Sequence, residues 1–545
     1  KVSARGSEHF WDARRDAPSY TSVNEDAAWR AMHADRRRLL LLARNPFMAN
    51  MICALYRKEG SLPSSRAALF SKFIGSLLAA EAKRRAEVSL AWVGDAPIRA
   101  GLGQIAWALG AATEMTRADA EVLLARHVPD HDPAALLNAA ASAQLIDYGA
   151  SVRFSHQLVQ EFFAATVLGA LMDAGTPASS IWRADSWWQP TGREETTILL
   201  AGDRGDPDGV ARWLAPAQPV LAWELLEQPD FAAMRERVSD GTRAALIESA
   251  RAKGAESDPV GRAAAYRVLG ALAADDRIGV GTLLRGGLLL PDVDWVTIPD
   301  DGEFPVGHAD ERDNPPQVMR LPAYQIARYP ITDAQFQTFI DDKLNGFSDP
   351  RWWDGLSAGD SDKAAPGDQA FKFGNHPRER VSWYDAIAFC RWMSWRLGGD
   401  FALDRVDRWA VRLPTEWEWE KAARGQTGWR YPYGNEYDAA KGNTGKTGIG
   451  QTSAVGIFPG GASPYGVLDM SGNVWQWCLS NYENPPVHET DPTRIDLRTN
   501  AQRVLRGGSW NDLQGGARAS FRSRFFPLFR DSAIGFRVVV GGSGS

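Results

Sequence analysis

At LLLPDVDWVTIPDDGEFPVG, Leu288 to Gly307, the sequence changes texture. Upstream, apolar residues recur at three- and four-residue spacing, as in NPFMANMICALYRKEG and RAALFSKFIGSLLAAEAKRR, the period of helices that bury one face. Downstream come short strand-like runs, frequent Gly and Pro, and dense tryptophan. One hydrophobic period cannot serve both architectures, so two kinds of fold are joined here. Since the chain has 545 residues, several cores are expected. The spacing predicts a helical region over 1–170, a helical connector over 171–287 and an α+β domain over 288–540. Residues 541–545 read as a linker.

Composition excludes some functions. Hydrophobic residues make up 44%, charged residues 23% and the formal charge is -6, which gives nucleic acid or anionic lipid no global attraction. The longest apolar runs, such as LLLLA from Leu39 to Ala43, fall far short of the ~20 residues of a membrane helix. No membrane span and no nucleic-acid partner are expected. Three cysteines far apart argue against a disulfide scaffold and for a reducing, cytoplasmic compartment. The opening KVSARGSEHF has neither an initiator Met nor a signal pattern, so a start partway through a longer protein is expected.

In the first region, Gly60 and Pro63 separate two helices, and SVRFSHQLVQEFFAATVLGALM reads as a short strand followed by a long helix. NPFMANMICALYRKEGSLPSSRAALFSKFI resembles the helical segment after the nucleotide-binding core of NACHT-type STAND ATPases, and FSHQLVQEFFAA resembles their winged-helix motif. The resemblance implies nucleotide contacts at Pro46 and His156. The residues alone are equally read as a helix start and a hydrogen-bonded buried imidazole. No G-x-x-x-x-G-K-[ST] occurs upstream, and AKGNTGKT at 440–447 has alanine where the first glycine belongs. ATP hydrolysis by this chain alone is not expected; the nucleotide-binding core would be missing or separate. The connector reads either as HEAT-like helix pairs or as a plain bundle.

In the last region, capping boxes predict three helices: Thr332 with Gln335, Ser382 with Asp385, and Thr415 with Glu418. Glu416, Glu418 and Glu420 suggest paired carboxylate catalysis, but first-turn acids that complement a helix dipole are the stronger reading. YQIARYPITDAQFQTFI, VRLPTEWEWEKAARG, GVLDMSGNVWQW and RVLRGGSW to IGFRVV resemble the formylglycine-generating enzyme (sulfatase-modifying factor) family. The resemblance implies a C-type-lectin-like fold. It also implies a copper-binding cysteine pair between RGGS and R-x-x-x-R, but here that interval is WNDLQGGA, without cysteine. Cys390 and Cys478 lie elsewhere, and no H-x-x-x-H-x-E run supplies iron ligands. Hence neither copper nor iron is expected, and the chain is expected not to be an enzyme. A structural calcium implied by the family would be held by Asp469, the carbonyls of Gly472 and Val474, and Gln476.

Variable proteins of diversity-generating retroelements use the same scaffold, and their hypermutated segment resembles residues 503–539. Between fixed Gly507, Gly508, Trp510, Arg518, Arg522 and Arg530 stand Asp512, Leu513, Gly515, Gly516, Phe521, Ser523, Arg524, Phe525, Phe526, Leu528, Phe529, Asp531, Ser532 and Ala533. Each is reachable by an NNC codon, the product of adenine mutation in AAC-like templates; Gln514 is not, and reads as framework. The adjacent phenylalanines, then Leu528 and Phe529 after Pro527, fit no single buried face, so exposure is expected. The expected function is a non-enzymatic sensor that binds a protein or other macromolecular ligand at this surface and is coupled to a STAND-type switch. The alternatives are a formylglycine-generating or related oxidase, and a structural module with a fixed partner.

Overall fold

A computed structural model describes residues 46–541 except 62, 64, 183–185, 232–237, 360–362, 364, 400–409 and 484–489. The helical region expected over 1–170 therefore lies partly outside the described residues. Two compact units divide the chain, Lys1–Ser249 and Ala250–Ser545.

Within the first unit, α1 (Pro46–Glu59) ends at Gly60, whose φ of 69° suits glycine, and α2 (Arg66–Glu87) starts at Ser65, whose hydroxyl accepts the Ala68 amide. Then come α3 (Asp95–Leu109), β1 (Glu114–Thr116), α4 (Arg117–His127), α5 (Pro133–Ser142), β2 (Ile146–Tyr148) and β3 (Ser151–Phe154). The strands form an antiparallel sheet in the order β1-β3-β2. From β3 the chain enters α6 (Gln157–Asp173), the strand-then-helix expected of SVRFSHQLVQEFFAA. Phe162 of α6 stacks on Phe70 of α2, with 6.0 Å between ring centres. Five shorter helices follow: α7 (Ala178–Ile181), α8 (Glu194–Arg204), α9 (Pro207–Leu214), α10 (Pro219–Leu226) and α11 (Asp240–Lys253), the last of which continues past the end of this unit at Ser249. The expectation of a helical N-terminal half is met.

The second unit starts inside the segment expected to be connector, and α12 (Pro259–Ala271) belongs to it. Arg262 of α12 donates to the Ile457 carbonyl at 2.6 Å, and Asn375 donates to the Tyr266 carbonyl at 2.8 Å. The remaining elements are mixed α and β. A hairpin, β4 (Thr282–Arg285) with β5 (Leu288–Pro291), precedes β6 (Trp295–Ile298), the pair β7 (Phe304–Val306) and β8 (Gln317–Met319), and β9 (Tyr324–Ala327). Three helices, α13 (Asp333–Asp341), α14 (Trp383–Arg396) and α15 (Glu416–Arg424), all open on the capping boxes read from the sequence. Then come β10 (Trp475–Asn481), β11 (Arg503–Arg506), β12 (Ser523–Phe525), β13 (Ile534–Phe536) and β14 (Val539–Gly541).

Two small sheets hold this domain. One runs β12-β11-β10-β13, antiparallel except for the β10–β13 pair, and the other runs β14-β9-β6. Between and around them, aromatic rings replace regular secondary structure as the filler. Trp352, Trp383, Trp392, Trp417, Trp419 and Trp477 are fully buried. Their indoles also hold loops by hydrogen bonds, as when Trp353 donates to the Phe347 carbonyl and Trp477 to the Val381 carbonyl.

Candidate functional site

The segment 503–539 starts on β11, leaves it at Gly507 and Gly508 with φ of 99° and 72°, and returns through β12 to β13. A side chain at 508 would stand 2.8 Å from the Gly516 carbonyl oxygen, so only glycine fits that crossing. Trp510 then fixes the loop's base: its amide donates to the Asn473 carbonyl at 3.0 Å, and its indole to the Ser532 carbonyl at 3.2 Å.

Three arginines pin the rest of the loop to carboxylates far away in sequence. Arg518 reaches Glu311 at 3.1 Å, and Arg522 grips both oxygens of buried Glu416 at 2.6 and 3.1 Å. Arg530 grips both oxygens of buried Asp385 at 2.8 and 2.9 Å. Such two-pronged pairs fix direction as well as position. At the loop's inner edge, Arg506 and Arg424 share the fully buried Glu420. Arg412 closes on Glu418 at 2.6 and 2.7 Å. The three glutamates of α15 are thus each occupied by arginine, a stronger bond than the helix dipole expected for them.

On this frame the phenylalanines expected at the surface are there. Phe526 is 61% exposed, and Phe525, Leu528 and Phe529 are exposed beside it. Phe525 and Phe529 stack on each other at 4.1 Å with ring planes 10° apart. Arg524, also exposed, lays its guanidinium over the Tyr482 ring at 4.2 Å. Leu513 is 66% exposed on the other arm of the loop, while Asp512, Gly515, Gly516, Ser523, Asp531 and Ser532 are partly exposed. Half-buried Phe521 packs on Trp475. Ala533 departs from the expected surface: it is buried, because its carbonyl accepts the Trp475 amide where the chain enters β13. Compatibility with an NNC codon does not by itself say which residues face outward. Sequence reading also missed Tyr482 and Glu311 and read Asp385 only as a helix cap; none carries a local signal for its arginine partner.

The residues proposed for calcium do not fit the ion. Gln476 Oε1 accepts from the Trp419 indole at 2.8 Å and from Arg537 Nε at 2.9 Å, so its oxygen is taken and a guanidinium stands beside it. The Gly472 carbonyl accepts the Val474 amide at 3.1 Å, and Asp469 accepts the Gly456 amide at 2.6 Å. Burial pushes the Asp469 carboxyl up to about 6. A divalent ion there would meet Arg537 at close range, an unfavourable approach in a buried site.

Other expected residues fall elsewhere. Pro46 opens α1, and His156 caps α6 by accepting the Leu158 amide on Nδ1 at 3.1 Å. Partial burial lowers the His156 pKa, which favours this neutral, accepting form. None of the three cysteines is in a disulfide, and burial pushes the Cys390 and Cys478 thiols up.

A helix-capped α+β domain with an aromatic core and an arginine-pinned terminal loop defines a class, and comparison with known proteins agrees with it. Residues 291–541 match the sulfatase-modifying factor enzyme 1-like domain, and the chain belongs to this family. It is 31% identical to the formylglycine-generating enzyme of Thermomonospora curvata, over 38% of this chain and 78% of that relative. It is 30% identical to hercynine oxygenase of Mycolicibacterium smegmatis over 48% of this chain, and spans only 61% of that relative's length. Among solved structures, Treponema denticola variable protein 1 is similar at 24% identity and a TM-score of 0.36, over 48% of this chain and 98% of that one.

These relatives overturn the expectation that the chain is not an enzyme. Hercynine oxygenase and formylglycine-generating enzyme are enzymes by name, and they share about 30% identity with roughly half of the chain. The missing cysteine pair bears on one copper chemistry and not on catalysis in general. No helix among the described residues is long and apolar enough to cross a membrane.

Proposed function

We propose that the C-terminal domain recognises a macromolecular ligand, most simply a protein, at the surface built by Leu513 and by Arg524 to Phe529. In this reading it is a C-type-lectin-like variable protein of the retroelement-diversified kind. The helical first half couples it to a STAND-type switch, whose nucleotide-binding core Pro46 and His156 would adjoin. One observation carries the reading: large apolar side chains at NNC-reachable positions are exposed on a backbone held by buried ion pairs. A loop pinned in this way can change its exposed residues and keep its path. Exposed aromatics beside an arginine have the composition of a binding hot spot.

Sequencing the encoding locus tests the diversified origin. A reverse transcriptase and a near-identical, adenine-rich repeat of the 503–539 coding segment are expected; absence of the repeat removes that part of the reading. The surface itself is tested by the triple variant F525S/F526S/F529S. Because these rings are exposed, its unfolding midpoint should lie within about 2 °C of the parent. Ligand binding should be lost. A large drop in stability would mean that the rings serve the core.

A second reading rests on the relatives' names, namely an oxygenase or formylglycine-generating activity in the same domain. Turnover of a cysteine peptide with copper and oxygen, insensitive to the triple variant, would favour it.

A further inference from the structure

Strand β12 is the terminal member of its sheet: β11 pairs with one side, and no strand lies on the other among the described residues. Alternate residues of such a strand turn their amide and carbonyl outward, so the open side offers main-chain donors and acceptors to an incoming chain. Proteins that guard an edge place charge or proline on it. Here Arg524 and Pro527 are in place, yet Phe525 and Phe526 between them are exposed, which invites contact.

Charge at this edge selects the visitor. Arg524 has no carboxylate partner among the described residues. Arg503, opposite Phe525 in register, is buried against the Trp383 ring at 3.9 Å, and its guanidinium donates to the carbonyls of Leu479, Asp496 and Thr499. Arg503 is fully buried and does not face the edge, so the exposed Arg524 alone makes the edge positive and favours an acidic partner. A sugar fits less well, because Phe525 and Phe529 cover one face of each other and no amide side chain stands among the exposed residues 524–529. The edge is also preorganised: the Pro527 carbonyl accepts the Trp383 amide at 2.9 Å, and Arg530 is locked on Asp385.

We propose that β12 accepts an added strand from a partner protein. An extended segment pairs main chain to main chain along Ser523–Phe525 and sets an acidic side chain against Arg524. Its next residue, apolar, lies on the opposite face against the Phe525–Phe529 stack, since neighbours in a strand alternate faces. This rests on the ligand-recognition reading, which states that the surface binds but not how.

The test pans the full chain against displayed random linear peptides, then measures the affinities of synthetic versions of those enriched. Enriched peptides should place an acidic residue next to an apolar one. N-methylation of successive peptide amides should weaken binding in alternation, about tenfold at every second position, because only alternate amides face β12. R524E should shift selection towards basic peptides. The proposal is overturned if no peptide is enriched, if N-methylation shows no alternation, or if only an oligosaccharide array yields a binder. Loss of binding in F525S/F526S/F529S without alternation would sink strand addition and leave the surface reading intact. Equal binding to that triple variant would sink both.

Discussion

Replacing Glu420 with alanine is expected to destabilise the C-terminal domain by about 3–5 kcal/mol, the usual effect of stripping the partner from a buried charge. Glu420 is fully buried, and both of its carboxylate oxygens are hydrogen-bonded. Its Oε1 accepts the Gly307 amide at 2.7 Å and Arg424 at 2.9 Å, while its Oε2 accepts Asn314 at 3.1 Å and Arg506. Burial pushes this carboxyl up, but Arg506 and Arg424 outweigh burial and hold it below its ordinary range. Alanine would leave two guanidiniums in the core without a carboxylate. Thermal unfolding should report a midpoint lower by about 10 °C for a domain of this size. Since Arg506 also donates to the carbonyls of Ala519 and Phe521, the loop should loosen along with the core. A midpoint within about 2 °C of the parent would show that Glu420 is not the anchor described here.

What could be read from the sequence was local. The three capping boxes are spelled out within four residues of chain, and all three form. Exposure of Phe525, Phe526, Leu528 and Phe529 was legible because their order fits no buried face. The anchors were not legible. Arg506 and Glu420 stand 86 residues apart, Arg522 and Glu416 106, Arg530 and Asp385 145, and Arg518 and Glu311 207. Nothing in a single sequence pairs residues over such distances. For the same reason the glutamates of α15 read as partners of the helix dipole, an effect worth tenths of a kcal/mol to about one, when each carries a buried or bidentate ion pair. The expectation of a non-enzyme failed differently. It generalised from missing motifs, the cysteine pair, the histidine run and the phosphate-binding loop, to a whole family whose named members include an oxygenase. The position of Arg537 beside Gln476, which bears on the calcium expectation, is likewise a tertiary fact.

The ion pair between Arg530 and Asp385 joins stability to the recognition surface, and its removal should leave a signature in pH. Asp385 is fully buried; it accepts the Ser382 amide at 2.7 Å as part of the α14 capping box, besides both arms of Arg530. Burial raises its pKa above the ordinary 3.8, against the pull of Arg530. Arg530→Met removes that pull, so the folded-state pKa must rise further. A carboxyl whose folded pKa lies above its unfolded pKa favours the fold while protonated, and this contribution is lost as pH rises through the folded value. The deficit of the variant relative to the parent should therefore be smallest near the unfolded pKa of 3.8 and grow as pH rises, to about 3–5 kcal/mol at neutral pH. Urea unfolding across a pH series measures it, and a deficit independent of pH would refute the assignment. Since Arg530 follows Phe529 directly, ligand binding should weaken in the same variant even at acidic pH, where stability is largely restored. The stacked rings would then be present but no longer held in place, which separates the role of the anchor from the role of the surface it positions.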